Sequence, residues 1–450
     1  MYDLIIRACT LPTLETTDIA VTDGVIAQIA HEILEPSRTE IDARGLHVLP
    51  GVVDAHVHFN APGREDWEGV TSGSSAFAAG GGTTFVDMPL NSSPVTTSAS
   101  AFAAKLEVMR RESVTDFALW GGLVPGNLEA LPELAARGVV GFKAFMCNSG
   151  LSEFGAVDDA TLFEGMRVAA QLGLPIAVHA ENDAIPALLA AQAQARGETD
   201  ARAYLNSRPI MVELEAIGRA LLFAEETGCA LHVVHISSAR GVGMVAAARM
   251  RGANVTTETC PHYLVFCDDD LERLGAVLKS APPVRSNLER DALWLEVIAG
   301  NVDVIGSDHS PAPMNMKTGA NFFKIWGGIS GVQSTLPALL THGHHSRGIA
   351  LSQIAAMLSA NPAQRFGLAG KGSLEAGCDA DLALVKLDQN WTLEEVLYKH
   401  AQSPYLGQRF TGRVAQTLLR GETVWDGQRV VGQARGKLVR PAGIVLGRQR

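Results

Sequence analysis

Hydrophobic and polar positions change their spacing twice along the chain, which divides it into two similar ends and a different middle. The first 50 residues hold short alternating stretches broken by turn residues: "YDLIIRA", "DIAVTDGVIAQIA" with Asp-Gly at its centre, and "GLHVLP". The same texture returns in "DADLALVKL", "VAQTLLRGETVWDGQRVV" and "GKLVR". Such stretches are typical of β-strands and hairpins. Neither end has enough strands to bury a face alone, so we predict that residues 1–50 and 371–450 form one small β-sandwich domain.

The middle of the chain, residues 51–370, alternates apolar runs with Ala- and Leu-rich stretches of helical period. The runs that predict buried strands are "GVVDA", "TTFVDMPL", "FALWGGLV", "VVGFKAFM", "LPIAVHAEN", "ALHVVHISS", "NVTTETC" and "DVIGSDHSP". Between them, "TLFEGMRVAAQLG" and "VELEAIGRALLFAEETG" predict connecting helices. Strand–helix alternation implies parallel strands with right-handed crossovers, and about eight such units close a (β/α)8 TIM barrel. A doubly wound open sheet is the alternative.

Composition excludes several classes of partner. The 450 residues are 47% hydrophobic, which is ample for a large core, and 37 basic against 48 acidic residues give a net charge of −11. That balance disfavours nucleic acid and anionic membranes, since both need a basic surface. No signal peptide is visible, and no apolar run approaches the ~18 residues of a membrane helix. Six scattered cysteines without C-x-x-C spacing predict a reduced, cytoplasmic protein without a disulfide framework.

Two histidines interrupt the first apolar run of the middle region at its end. Side chains alternate across a strand, so His56 and His58 project from the same face. The carboxyl ends of barrel strands open into the active-site mouth, where adjacent imidazoles suit a metal ion. A hydrogen-bonded pair of core histidines is the structural alternative.

Four later runs also end in residues that bind metals or titrate. They carry Lys143 in "VVGFKAFM", His179 in "LPIAVHAEN", His235 in "LHVVHISS" and Asp308 in "VDVIGSDHSP". Any one of them could be structural, because core histidines find partners, lysine stems snorkel and aspartates cap turns. Five strand ends that deliver such residues together favour a metal site. In "HVVH", His232 and His235 point to opposite faces of a regular strand, and His235 lies nearer the carboxyl end.

These segments resemble the amidohydrolase superfamily, in its cyclic-amidase branch. The resemblance spans nearly the whole chain and includes "NPAQRFGLAGKGSLEAGCDADLALV" near the return into the sandwich domain. Members of the superfamily are (β/α)8 barrels with two divalent metals bridged by a carboxylated lysine and a hydroxide. The resemblance implies this ligand set: His56, His58 and Asp308 at one metal, His179 and His235 at the other, and N6-carboxylated Lys143 between them. Zinc is the expected ion, with cobalt, manganese and iron as alternatives.

Segments near the metal ligands separate the substrates of this branch. Dihydroorotases carry an arginine two residues after the second histidine, where this chain has Asn60, so an acidic ring substrate loses its partner. Hydantoinases and dihydropyrimidinases carry a tyrosine shortly after the bridging lysine, and "KAFMCNSG" has none. The segments "PGREDWEG", "DMPLNSSP" and "KIWGGISGVQS" instead resemble the allantoinases. One departure is Ala61, where allantoinases often have glutamate before Pro-Gly.

This resemblance implies hydrolysis of the ring amide of allantoin to allantoate, a step of purine catabolism. It gives Asp308 the role of carrying the proton from the nucleophile to the leaving nitrogen. It places these groups at the substrate: Asn148, Ser149, and the backbones of Ser280 and Gly327. It also implies a homotetramer. The alternatives are a hydantoinase or dihydropyrimidinase acting on 5-substituted hydantoins or dihydropyrimidines, and a catalytically inactive dihydropyrimidinase-like scaffold protein.

Overall fold

The computed structural model describes residues 1–442. Residues 443–450, which the predicted sandwich domain includes, lie outside the described residues. In chain order the strands are β1 (Tyr2–Thr10), β2 (Thr16–Thr22), β3 (Val25–Ala30), β4 (Ser37–Asp42), β5 (His47–Pro50), β6 (Val52–Val57), β7 (Gly82–Asp87), β8 (Asp116–Leu119), β9 (Gly121–Gly122), β10 (Phe142–Phe145), β11 (Ile176–His179), β12 (Leu231–Val233), β13 (Val255–Thr259), β14 (Val304–Ile305), β15 (Leu382–Thr392), β16 (Arg409–Leu419) and β17 (Glu422–Trp425).

The α-helices lie mainly between the strands of the middle region. They are α1 (Val70–Ala79), α2 (Ala99–Glu112), α3 (Leu131–Arg137), α4 (Asp159–Leu172), α5 (Ala184–Ala195), α6 (Ala201–Ser207), α7 (Ile210–Thr227), α8 (Ala239–Met250), α9 (Pro261–Val265), α10 (Asp268–Leu274), α11 (Asn287–Ile298), α12 (Thr335–Ala338), α13 (Leu351–Ala355) and α14 (Asn361–Arg365). Within residues 1–442, none of these helices has both the length and the apolar composition needed to cross a membrane.

Strands β6 to β14 form a closed parallel barrel with eight strand positions. Nine strands fill eight positions because β8 and β9 are two parts of one strand, interrupted at Trp120. Parallel pairing runs from β6 through β7 to β8, and from β9 through β13 to β14. The barrel closes just beyond β14, where the backbone N–H of His58 donates to the carbonyl of His309 at 2.8 Å. The predicted TIM barrel is therefore confirmed, and the open doubly wound sheet is wrong.

The apolar runs are strands because both of their faces are buried. Every residue of β6 and of β7 is buried, as expected for parallel strands between a packed barrel interior and an outer layer of helices. The predicted helix α4 begins where the side chain of Asp158 accepts from the N–H of Thr161, and it ends at Gly173 in the left-handed conformation, φ 68°. Local sequence signals thus set the bounds of the connecting elements.

Both chain ends contribute to a β-sandwich domain with one eight-stranded sheet. Its order is β17-β16-β15-β5-β1-β2-β3, and β4 pairs with β1. The Asp-Gly dipeptide forms the predicted turn between β2 and β3, with φ 52° at Asp23 and 78° at Gly24. A separate apolar cluster that includes Ile6, Val48 and Leu384 fills this domain. We propose domain boundaries at residues 50/51 and 370/371, next to the junction of β5 with β6 and shortly before β15.

One predicted sandwich strand, "GKLVR", pairs with the barrel instead. The N–H of Phe117 donates to the carbonyl of Lys437 at 3.0 Å, and the N–H of Val439 donates to the carbonyl of Phe117 at 2.8 Å. The physical reason is an open strand edge, since β10 pairs with β9 and leaves the backbone of β8 available. The β-texture of this segment is compatible with either partner, so the sequence-based placement was wrong.

Buried charge joins the barrel to the sandwich domain. The ammonium group of Lys371 lies 2.6 Å from Asp116, 2.7 Å from Asp379 and 2.8 Å from Asp381. Lys371, Asp116 and Asp381 are all buried, and Arg420 also donates to Asp116. A buried charge is tolerated only when it is paired, so the carboxylates depend on these two cations.

We predict that Lys371→Met lowers the free energy of unfolding by about 3–5 kcal/mol, because it leaves buried carboxylates without a full complement of cations. Urea unfolding followed by circular dichroism measures this change. Lys386→Met, at an exposed position of β15, is the control and should stay within about 0.5 kcal/mol of wild type. Equal stability of the two variants would contradict this role for Lys371.

Candidate metal centre

A cavity of about 300 Å³ opens at the carboxyl ends of the barrel strands. Nine of the ten predicted site residues line it: His56, His58, Asn148, Ser149, His179, His235, Ser280, Asp308 and Gly327. The tenth, Lys143, is buried on β10, with its ammonium nitrogen 5.2 Å from the ring centroid of Phe145. The ring of Phe145 in turn stacks on His179 at 4.5 Å. Barrel closure thus brings side chains from five strand ends to one place.

One group of potential ligands converges on Asp308. Its Oδ1 lies 3.3 Å from Nε2 of His56 and 3.5 Å from Nε2 of His58. One ligand atom from each of these three side chains lies within 4.8 Å of the others. Two imidazole nitrogens and a carboxylate oxygen at this spacing form a donor set that suits a divalent transition metal.

The remaining imidazoles lie beside this group. The ring centroid of His235 is 5.4 Å from that of His56 and 4.5 Å from that of His179. Burial lowers the pKa of His58 and His179, and it lowers the pKa of His235 far below the ordinary value. Neutral imidazole is the form that binds metals, so burial prepares these side chains as ligands.

Lys143 is a buried amine whose Nζ has no hydrogen-bond partner among residues 1–442. Burial lowers its pKa to about 8, so a substantial fraction is neutral amine near physiological pH. Only the neutral amine reacts with carbon dioxide to form a carbamate. The unpartnered Nζ of Lys143 therefore fits a lysine that is carboxylated to an anionic bridging ligand. Together with the candidate metal ligands, it fits the expected binuclear centre.

Two buried glutamates orient the imidazoles, and our sequence analysis missed both. Oε1 of Glu258 lies 2.7 Å from Nδ1 of His56, which leaves Nε2 of that ring to face Asp308. Oε2 of Glu181 lies 2.8 Å from Nε2 of His179. Such carboxylate–imidazole bonds fix the tautomer and the ring orientation of metal-binding histidines. The available signal was an acidic residue at each strand end, in "TTETC" and "HAEN".

The other histidines of the candidate strands lie outside the ligand group. His232 bonds to Thr256 through Nδ1 and to Glu258 through Nε2, so both of its ring nitrogens have partners. His309 accepts hydrogen bonds from backbone N–H groups at its Nδ1, including that of Gly331 at 3.2 Å. Neighbouring position in the sequence therefore does not place a histidine at the centre.

Backbone strain is concentrated at the same rim. His235 and Asp308 have positive φ angles of 40° and 45°, and so do Asn60 and Asn91, at 64° and 63°. Residues other than glycine rarely adopt this conformation, and it commonly marks functional sites. The strand ends are thus bent in a way that directs side chains towards the cavity.

Three of the predicted substrate-contacting residues differ in whether their polar groups already have hydrogen-bond partners within the protein. Oδ1 of Asn148 accepts from the N–H of Gly150 at 2.8 Å, and the hydroxyl of Ser149 donates to the carbonyl of Phe154 at 2.6 Å. These two side chains therefore stabilise their own loop. Oγ of Ser280 is buried and has no partner among the described residues, whereas its carbonyl accepts from the hydroxyl of Tyr204.

The chain is similar to known hydrolases over nearly its whole length. The amidohydrolase family profile matches residues 47–424. A protein named allantoinase from Rubrobacter xylanophilus is 54% identical over 98% of both chains. Another protein of that name, from Deinococcus radiodurans, is 50% identical over 98% of this chain and 99% of its own. The solved structure of an L-hydantoinase (dihydropyrimidinase) from Arthrobacter aurescens has a TM-score of 0.95 at 37% identity, covering 98% of this chain and 100% of that chain.

We predict that Glu258→Gln weakens divalent-metal binding about 10- to 100-fold, because an amide cannot accept from His56 and His232 together. Titration of the metal against a competing chelator measures the affinity. Glu226→Gln, at an exposed position of α7, should leave it unchanged. Wild-type affinity in Glu258→Gln would show that this carboxylate does not orient the ligands.

Proposed function

The chain belongs to the amidohydrolase family, and we propose that it hydrolyses the ring amide of allantoin to allantoate in the cavity at the barrel mouth. The observation that carries this function is near-full-length similarity to proteins named allantoinase, at 54% and 50% identity. The site agrees chemically, because its metal-ligand set lies in a cavity that also presents uncharged amide and hydroxyl groups. Allantoin is a polar and uncharged ring, which suits such a lining.

We propose two divalent ions at this centre, with zinc as the expected metal and cobalt, manganese or iron as alternatives. The first would be held by His56, His58 and Asp308, and the second by His179 and His235. N6-carboxylated Lys143 would bridge them. Bound ions of this kind lower the pKa of water towards neutrality and polarise a carbonyl oxygen. The burial of the four imidazoles and the unpartnered amine of Lys143 support this assignment.

Asp308 is the proposed proton carrier. Burial raises the pKa of its carboxyl group, but the neighbouring His56 and His58 outweigh that effect and lower the pKa to about 2. The group is therefore a carboxylate at neutral pH, ready to accept a proton from the attacking nucleophile. It would then deliver that proton to the ring nitrogen as the amide bond breaks. Its position between two imidazoles holds the carboxylate at the centre of the site.

The hydantoinase alternative is supported by the similarity to the L-hydantoinase structure, but the identity there is 37%, against 54% to a protein named allantoinase. The hydantoinase and dihydropyrimidinase alternative expects a tyrosine shortly after Lys143, where the chain has Cys147, Asn148 and Ser149. If the chain were an inactive scaffold, we would expect some metal-binding side chains to be replaced. All of the predicted ligand side chains are instead present and close together. A substrate panel of allantoin, 5-substituted hydantoins, dihydrouracil and dihydroorotate, with metal supplied, tests the assignment. We expect allantoin to be hydrolysed with the highest kcat/KM, and turnover of dihydrouracil with inert allantoin would overturn the proposed function.

A homotetramer in the cytoplasm is also our proposal. All six cysteines are free thiols, which suits a reducing compartment. Large apolar side chains on α5 and α7 are more than half exposed, namely Leu188, Met211 and Leu222. Where exposed apolar side chains lie together, they often mark contacts between subunits. Light scattering should give a mass about four times the 47.7 kDa of one chain.

We predict that Asp308→Asn retains bound metal but loses at least about 10²-fold in kcat with allantoin, because an amide cannot carry the proton. Steady-state kinetics and elemental analysis on the same sample separate the two effects. Asp291→Asn, at an exposed position of α11, serves as the matched control. Near-native turnover in Asp308→Asn would remove this residue from proton transfer.

A further inference from the structure

Arg208 is a cation on the cavity wall that neither the proposed metal centre nor the proton transfer uses. It follows α6 directly, lines the cavity, and keeps 21% of its side chain exposed. One guanidinium nitrogen donates to Oε2 of Glu181 at 2.6 Å, and this is its only side-chain acceptor among residues 1–442. A guanidinium group carries five N–H donors, so others remain for a ligand.

The guanidinium group is held in place by an aromatic ring. Its central carbon lies 5.6 Å from the ring centroid of Tyr204, and the hydroxyl of that tyrosine donates to the carbonyl of Ser280 at 2.8 Å. The ammonium group of Lys279 lies 4.6 Å from the same centroid and donates to the carbonyls of Phe322 and Ile325. A donor fixed in this way loses little conformational entropy when it binds a ligand.

This part of the wall is rich in donors. Arg208 pairs with the carboxylate of Glu181, which is also bonded to His179, and Lys279 supplies further N–H donors. The chain has Asn60 where dihydroorotases have their substrate-binding arginine, and the amide of Asn60 is directed to the carbonyl of Pro311. The cavity therefore takes its guanidinium group from another element of the barrel.

We propose that Arg208 determines specificity by donating hydrogen bonds to the carbonyl oxygen of the ureido group that allantoin carries on its ring. This inference rests on the proposed function and assigns the recognition of the side arm to one residue. Urea carbonyls are strong acceptors, and hydrogen bonds from a charged donor are about twice as strong as those between neutral groups. A ring without the side arm cannot make this contact.

The test compares allantoin with unsubstituted hydantoin, which has the same ring and no ureido group. Arg208→Lys keeps the positive charge beside Glu181 but loses the planar fork, and Arg208→Gln loses both. We expect each variant to raise the KM for allantoin about tenfold or more, and we expect Arg208→Lys to change kcat/KM for hydantoin less than about twofold. Metal content and thermal unfolding of Arg208→Lys, measured on the same samples, should match wild type, because its ammonium group can still pair with Glu181. If hydantoin binds without turnover, its inhibition constant against allantoin replaces kcat/KM.

Two control variants separate recognition from a structural role. Arg202→Gln changes an arginine of the preceding helix, α6, that pairs with Asp268 and Glu272 outside the cavity, and it should leave the kinetics with both substrates unaffected. Glu181→Gln weakens the link to His179, so it should impair both substrates equally and lower the metal content.

Equal losses for allantoin and hydantoin in Arg208→Lys, accompanied by loss of metal, would show that Arg208 acts only through Glu181 and would overturn its role in recognition. An unchanged KM for allantoin in both Arg208 variants would overturn it too. Wild-type protein that leaves allantoin intact would instead overturn the proposed function, and this inference with it.

Discussion

One backbone hydrogen bond, from the N–H of His58 to the carbonyl of His309, closes the barrel on which the site depends. It joins the first barrel strand, β6, to the segment after the last, β14, and places the histidine pair of β6 beside Asp308. Since all barrel strands are parallel, closure brings their carboxyl ends together in a single ring. The ligands come from segments far apart in the chain, and only the closed sheet gives them a common centre.

Burial then determines the chemical state of these side chains. It lowers the pKa of His58, His179 and His235, which favours their neutral form, and it lowers the pKa of Lys143 so that part of the amine is uncharged. The carboxylates of Glu258 and Glu181 remain in the interior because they accept hydrogen bonds from His56, His232, His179 and Arg208. The same low-polarity surroundings thus favour the neutral form of these histidines and strengthen the hydrogen bonds that orient them.

The residues that line the cavity beside this centre would determine which ring substrates bind. The loop after β10 uses the polar groups of Asn148 and Ser149 to hold its own shape. Free donors come instead from the segment after α6, where Tyr204 holds the guanidinium group of Arg208. Arg208 therefore lies on a different segment from the proposed metal ligands, so that substrate preference can change there while those ligands are retained.

The sequence by itself determined the strand–helix alternation, the residues proposed as metal ligands and the family of the chain. These follow from local features, since a buried strand must be apolar. An ionisable side chain at the end of such a strand is costly to bury, so it indicates a specific partner. Only the tertiary structure decided that "GKLVR" pairs with β8, that Glu258 and Glu181 orient imidazoles, and that Arg208 reaches the cavity. Each of these depends on a partner distant in the chain. Periodicity reports which face of a segment is buried, but it does not report which remote atom that face will meet.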